Sequence, residues 1–178
     1  HSCAVVGGAV KCWGSNRYRQ LGMPANMLLN PPTTIAGLAG TITAIRAGRD
    51  HTVSLNSAGT ARYWGHAEFG GTGGAPTGLI DLFNDIRAIA AGGRHNCVLT
   101  FGAVVKCWGS NQSGQFGRYG DDSYYQTVVV QDLSSGVQAL DAGGEHTCAL
   151  SAGGRVECWG SNTYGQGGGP FPANFIGL

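Results

Sequence analysis

HTCALSAGGRVECWGSN, residues 146–162, is one of four versions of a single phrase in this chain. The others are HSCAVVGGAVKCWGSN at residues 1–16, HTVSLNSAGTARYWGH at 51–66 and HNCVLTFGAVVKCWGSN at 95–111. The tryptophans Trp13, Trp64, Trp108 and Trp159 lie 51, 44 and 51 residues apart. A period of that size is one supersecondary unit of a solenoid or propeller.

A second phrase precedes three of the copies: ITAIRAG at 42–48, IRAIAAG at 86–92 and VQALDAG at 137–143. Each is a short apolar run closed by glycine, as a buried strand would be. The His phrase supplies a second strand and the phrase ending in Trp-Gly a third. A fourth, weaker run is expected at 33–38, 78–82, 127–133 and 173–178. Four short strands per unit, with no helical periodicity, predict an all-β propeller of four blades, at about residues 1–41, 42–85, 86–136 and 137–178. The first unit lacks its leading strand, and residue 178 falls where another would begin. With no initiating Met and no signal peptide, the chain reads as a mature or excised piece of a larger ring. In the competing reading, another copy or subunit supplies the strand.

Glycine accounts for 32 of the 178 residues, against a usual share of about 7%. The glycines recur at fixed places in each copy, as turns do, with no collagen triplet. Charged residues make up 12% and the formal net charge is +1, which is no electrostatic footprint for nucleic acid. No apolar run reaches the length of a membrane span.

The motif AGG-x-HTCAL-x-x-GG-x-V-x-CWGSN-x-YGQ at residues 142–166 resembles the RCC1 repeat (regulator of chromosome condensation), closest to its bacterial, cysteine-bearing form. The resemblance covers essentially the whole chain. It implies a propeller of about seven blades and about twice this length, of which four blades are present here. Members of the family act in nucleotide exchange, chromatin binding, light sensing and β-lactamase inhibition. They share a binding platform rather than a reaction, and none of those activities has a residue signature that can be placed on this chain. The copies also depart from the pattern. His66-Ala67 replaces Ser-Asn, Gly71 replaces the Gln, and Arg19 stands where the others have Gly70, Gly114 and Gly165.

Six cysteines form three pairs, one per copy: Cys3 with Cys12, Cys97 with Cys107 and Cys148 with Cys158. Setting Cys3 opposite Cys12 leaves Gly7-Gly8 as a two-residue hairpin loop. The other pairs are one residue further apart and leave three-residue loops, Phe101-Gly102-Ala103 and Ala152-Gly153-Gly154. Loop length therefore compensates Cys spacing, and the cysteines stay face to face. The remaining copy has Val53 and Tyr63 there, so both cysteines are lost together, as a disulfide predicts. Small buried hydrophobes would not require pairing, and a zinc site would need closer ligand spacing. Each cross-link would contribute about 2–3 kcal/mol. Disulfides point to an oxidising setting: extracellular, cell-surface or periplasmic.

His1, His51, His95 and His146 recur in every copy, which argues for a structural role in which each holds a turn through a ring N–H. The tryptophans read as core. A ring of aromatics five residues beyond each Trp (Tyr18, Phe69 and Tyr164, with Ser113 in the third copy) favours loop packing, with carbohydrate as the weaker alternative. Function is expected where the copies disagree, on loops. Those positions are Arg17, Tyr18, Arg19, Arg49, Asp50, His66, Glu68, Arg94 and Glu145.

Two stretches, 23–32 and 118–126, read as inserts that break the repeat. The second brings Tyr119, Asp121, Asp122, Tyr124 and Tyr125, a composition suited to protein contacts and too sparse in oxygen ligands for calcium. Asn111 begins an N-glycosylation sequon but reads as structural first. No nucleophile–base set, phosphate cradle, cofactor motif or metal cluster stands outside the repeated positions. The expected function is a non-catalytic binding or scaffold module that meets a protein partner through variable loops. The alternative is a self-associating structural subunit joined through an open blade edge.

Overall fold

In the computed structural model, which describes residues 1–66, 77–78, 84–118, 120, 122–131, 133 and 136–168, the chain is all-β. The first sheet holds β1 (Ser2–Val6), β2 (Ala9–Asn16) and β3 (Asn26–Thr34). The second runs β4 (Ile42–Ala47), β5 (His51–Asn56), β6 (Ala61–Gly65) and β7 (Thr77–Gly78). The third runs β8 (Ile86–Ala91), β9 (His95–Thr100), β10 (Val105–Gly109) and β11 (Ser123–Val129). The fourth is β12 (Val137–Ala142), β13 (His146–Ser151) and β14 (Val156–Gly160). All pairings are antiparallel, and each sheet is one blade.

The hairpins form as loop arithmetic predicts. Cys3 pairs with Cys12, Cys97 with Cys107 and Cys148 with Cys158 across neighbouring strands, and each pair is joined by a disulfide. Gly7 and Gly8 both have positive φ, the two-residue turn that matches strand twist. In the three-residue loops the left-handed position falls to Gly59, Gly154 and, in the third blade, Ala103.

The fourth strands need correction. The outer strand of the first blade is Asn26–Thr34, earlier than 33–38, and that of the third is Ser123–Val129, earlier than 127–133. The stretches read as inserts thus run into strand, from Asn26 in the first and from Ser123 in the second. Pro31 and Pro32 can stand within β3 because it is the outermost of its sheet and has no ladder to serve on its far side. Its register also slips twice against β2, at Cys12/Gly14 and Gly14/Asn16. In the second blade the outer strand includes Thr77–Gly78, and residues 79–82 of the expected run lie outside the described residues. The run at 173–178 lies outside the described residues.

The core consists of three seams between blades rather than one centre. At the first, Val10, Cys12, Leu21 and Ile35 meet Ile42 and Trp64 of the next blade. At the second, Val53, Leu55, Ala61 and Tyr63 meet Ile86, Ile89, Val98 and Trp108. At the third, Cys97, Leu99, Val105 and Cys107 meet Val137, Leu140, Ala149 and Trp159. The cystine face of each blade therefore covers the tryptophan face of the next. In the second blade Tyr63 takes the place of the disulfide, its ring 5.9 Å from that of Trp108.

Candidate functional site

The expected hold of each His on a turn of its own copy needs correction: the ring N–H of His1, His51 and His95 reaches across a seam instead. Each ring lies against the glycine that ends the preceding strand, and a Cβ on Gly48, Gly92 or Gly143 would overlap it. The ring then reaches into the next blade. His1 Nε2 lies 2.8 Å from Thr52 Oγ1, His51 Nε2 2.7 Å from Asn96 Oδ1 and His95 Nε2 2.9 Å from Thr147 Oγ1. Thr52 gives its own proton to the Gln20 carbonyl at 2.8 Å, so the imidazole Nε2–H is the donor. Asn96 Oδ1 can only accept, which fixes the same tautomer at His51.

Burial, the largest cause, lowers the His51 pKa to about 4, with the Asn96 bond raising it and the charge of His66 lowering it slightly. Burial likewise lowers His95 to about 3, helped by the charges of His51 and His146. Both rings are neutral, buried and committed to seams, so neither serves as a surface acid or base.

Strand direction gathers the candidate residues at one end of the blades. His51 pairs with Gly65, His95 with Gly109 and His146 with Gly160. The segment before each His therefore lies beside the segment after each Trp-Gly. Backbone bonds lock the two together: the N–H groups of His66, Ser110 and Ser161 donate to the carbonyls of Asp50, Arg94 and Glu145. The hairpin loops lie at the opposite end.

On this loop end Arg17, Tyr18, Arg19, Arg49, Arg94 and Glu145 are exposed, with Asp50 and His66 partly so. The Tyr18 ring lies 4.5 Å from that of His66 across the first seam, and the Arg17 guanidinium sits 5.5 Å from the Tyr18 centroid. Gln20, Gln115 and Gln166 each accept the N–H of the residue two before them, Tyr18, Ser113 and Tyr164, and so shape the turn that presents that residue. Glu145 accepts from Ser113 Oγ at 3.2 Å.

Asp122 is a different case. It accepts the Asn111 N–H at 2.5 Å and the Ser110 hydroxyl at 3.4 Å, so its carboxylate serves its own loop. Tyr124 and Tyr125 stand on the outer strand β11 rather than on a loop. Glu68, Tyr119 and Asp121 lie outside the described residues. Asn111 is 2% exposed and binds through both amide atoms, to Arg118 O and Phe116 N, which closes the sequon to modification in the folded blade.

At the hairpin end a cleft between the first two blades is lined by Gly7, Gly8, Val10, Ile35, Leu38 and Thr41, among others, with no ionisable side chain. No group of three or more His, Cys, Asp or Glu suited to a metal occurs among the described residues. No helix there is long and apolar enough to cross a membrane.

With this geometry in hand, likeness to known proteins is informative. The regulator of chromosome condensation (RCC1) repeat matches residues 86–115 and 137–166, and a second description of the same repeat matches residues 8–55. The ultraviolet-B receptor UVR8 of Arabidopsis thaliana is 33% identical over 179 residues, which span 93% of this chain and 40% of that protein. Human WBSCR16 superposes with a TM-score of 0.77 at 20% identity over 87% of this chain and 43% of that one. Prp20p of Saccharomyces cerevisiae, whose structure was described together with its binding to Gsp1p and histones, gives 0.73 at 24% identity over 93% of this chain and 44% of its own. These superpositions speak to the fold. This chain spans about two-fifths of the length of each relative.

Proposed function

We propose, from the premise that this chain belongs to the RCC1-repeat family, that it is a non-catalytic binding module whose loop end contacts a protein partner. The observation that carries this reading is the division of labour at the loop end. The repeated residues there, His, Trp, Asn and Gln, are spent on seams and turns, while the unrepeated ones, Arg17, Arg49 and Arg94, face solvent. A rigid scaffold with varied exposed loops is how repeat proteins bind. Protein partners of the relatives, such as Gsp1p and histones for Prp20p, support the choice of a protein. Three disulfide pairs support an extracellular, cell-surface or periplasmic location.

The test is selection of ligands from a displayed random-peptide library, followed by affinity measurements on variants. Selected ligands should lose affinity for Arg94→Glu, on the loop end, and keep it for Arg87→Glu, at the hairpin end of β8. Ligands indifferent to Arg94→Glu would overturn the assignment of the face.

One observation favours a second reading, in which another copy adds to the fourth blade. Val156 and Leu150 are 55% and 36% exposed, whereas their counterparts Val105 and Leu99, covered by the next blade, are 1% and 0% exposed. This reading expects concentration-dependent sedimentation that Val156→Lys abolishes; a monodisperse monomer would remove it.

A further inference from the structure

Among the described residues, charge is distributed unevenly over the loop end. Arg17, Arg19, Arg49 and Arg94 are exposed on three successive blades, and a continuous path of contacts joins them. Arg17 covers Tyr18, Tyr18 packs on His66, and the His66 N–H binds the Asp50 carbonyl. The Arg49 N–H in turn donates to the carbonyl of Gly93, the residue before Arg94, at 3.2 Å. Within this ridge Asp50 stands 3.8 Å from Arg49, a loose exposed contact that holds the guanidinium weakly. The carboxylates of Asp122 and Glu145 belong to the third and fourth blades, beyond Arg94, and both are engaged there.

The backbone at Arg19 is an independent pointer. Its φ is 65°, while the residues at the same place in the third and fourth blades are Gly114 at 79° and Gly165 at 77°. An L side chain in this region costs about 1 kcal/mol or more relative to glycine. Arginine is thus carried at a turn position that two sister copies fill with the residue the backbone prefers. Residues held against local preference in this way concentrate at binding sites.

We infer that this ridge binds an acidic, extended peptide segment of the partner, with carboxylates on the arginine forks and an aromatic or apolar side chain against Tyr18. The inference rests on the loop end being the binding face. A uniform polyanion, such as nucleic acid or a sulfated polysaccharide, would carry its charge onward from Arg94 toward Glu145. It would also meet a protein whose formal net charge is only +1. A peptide can confine its carboxylates to the ridge.

Fluorescence anisotropy with a labelled Glu-Asp-Glu-Tyr-Glu-Asp-Glu peptide tests this, alongside its Gln/Asn counterpart, an oligothymidylate and heparin. The acidic peptide should bind saturably and weaken with salt. The amide peptide, and the Arg17→Glu and Arg94→Glu variants, should bind about tenfold more weakly, while Arg87→Glu matches the parent. Arg19→Gly should weaken the peptide several-fold. Absence of saturable binding, equal affinity for the amide peptide, or preference for oligothymidylate or heparin would overturn the proposal. If the acidic peptide fails while library-selected ligands still lose affinity for Arg94→Glu, only the partner's chemistry is wrong. If those ligands ignore Arg94→Glu, the binding face itself is wrong.

Discussion

The indole Nε1 of Trp64 donates to the backbone carbonyl of Gln20 in the preceding blade at 3.0 Å. The same oxygen accepts the Thr52 hydroxyl, which in turn accepts from His1. Donors from the second blade and a histidine from the first thus converge on one carbonyl and close the seam. The third seam repeats the arrangement, with Trp159 on Gln115 O at 2.6 Å and Thr147 between His95 and that carbonyl. The middle seam differs. Asn96 stands where the others have Thr, and both Trp108 Nε1 and Asn96 Nδ2 are buried without a hydrogen-bond partner among the described residues.

This difference predicts unequal tryptophans. Phe in place of Trp64 or Trp159 removes the same ring volume as at Trp108 but also breaks a buried hydrogen bond. Trp64→Phe and Trp159→Phe should therefore lower stability by about 1 kcal/mol more than Trp108→Phe. Urea unfolding with the disulfides intact measures this; three equal losses would show that the carbonyl contact contributes nothing.

Acid should open the seams. In the unfolded chain both imidazoles titrate near 6.5, whereas burial holds folded His51 near 4 and His95 near 3. The unfolded state binds more protons between those values, so stability rises with pH across that window. The histidine contribution is complete above about pH 6.5, falls as the pH drops toward 4 and levels off below about 3. The loss from His51 alone is on the order of 3 kcal/mol. His95→Gln keeps a donor for Thr147 and should flatten the profile of urea midpoint against pH. An unchanged slope in that variant would sink the assignment.

The hairpins and their cystines were legible in the sequence because strand register is a local property. The two-residue turn at Gly7-Gly8 and the three-residue loop at Ala152-Gly153-Gly154 each dictate which cysteines face one another. The outer strand β3 was less legible: it carries Pro31 and Pro32, which a strand tolerates at an edge position, a feature set by the sheet and not by the segment. The His51–Asn96 bond spans a seam, so no reading of one repeat reveals it. Its trace was present all the same: His51, His95 and His146 are each followed by a small polar residue, Thr52, Asn96 or Thr147, whose partner lies one blade back. The loop end was legible only as a set of unmatched positions. What brings Tyr18 alongside His66 is the stacking of blades, which no spacing within a copy encodes.

Reduction should proceed in order of burial. Cys97 and Cys107 are fully buried in the third seam, whereas Cys148 and Cys158 are only half-buried on the last blade. A bulky hydrophilic reductant should open Cys148–Cys158 first, leaving Cys97–Cys107 intact until the blades separate. Timed alkylation with peptide mass mapping reads the order. Simultaneous opening of the two pairs would mean that reduction follows global unfolding.

The hairpin loops isolate backbone preference from packing. Ala103 adopts φ 61° where Gly59 and Gly154 have 79° and 80° in the equivalent turns. Glycine at 103 removes the left-handed penalty at the cost of one methyl group, so Ala103→Gly should stabilise by about 0.5–1 kcal/mol. The reverse change, Gly154→Ala, meets open space, with nothing within 4 Å of the added carbon. Its cost is therefore conformational, about 1 kcal/mol. Because the two sites occupy one turn type in adjacent blades, the pair should shift the urea midpoint in opposite directions by similar amounts. A destabilising Ala103→Gly would mean that the methyl group contributes more than the strain it imposes, and that the third hairpin is held by packing rather than by its turn.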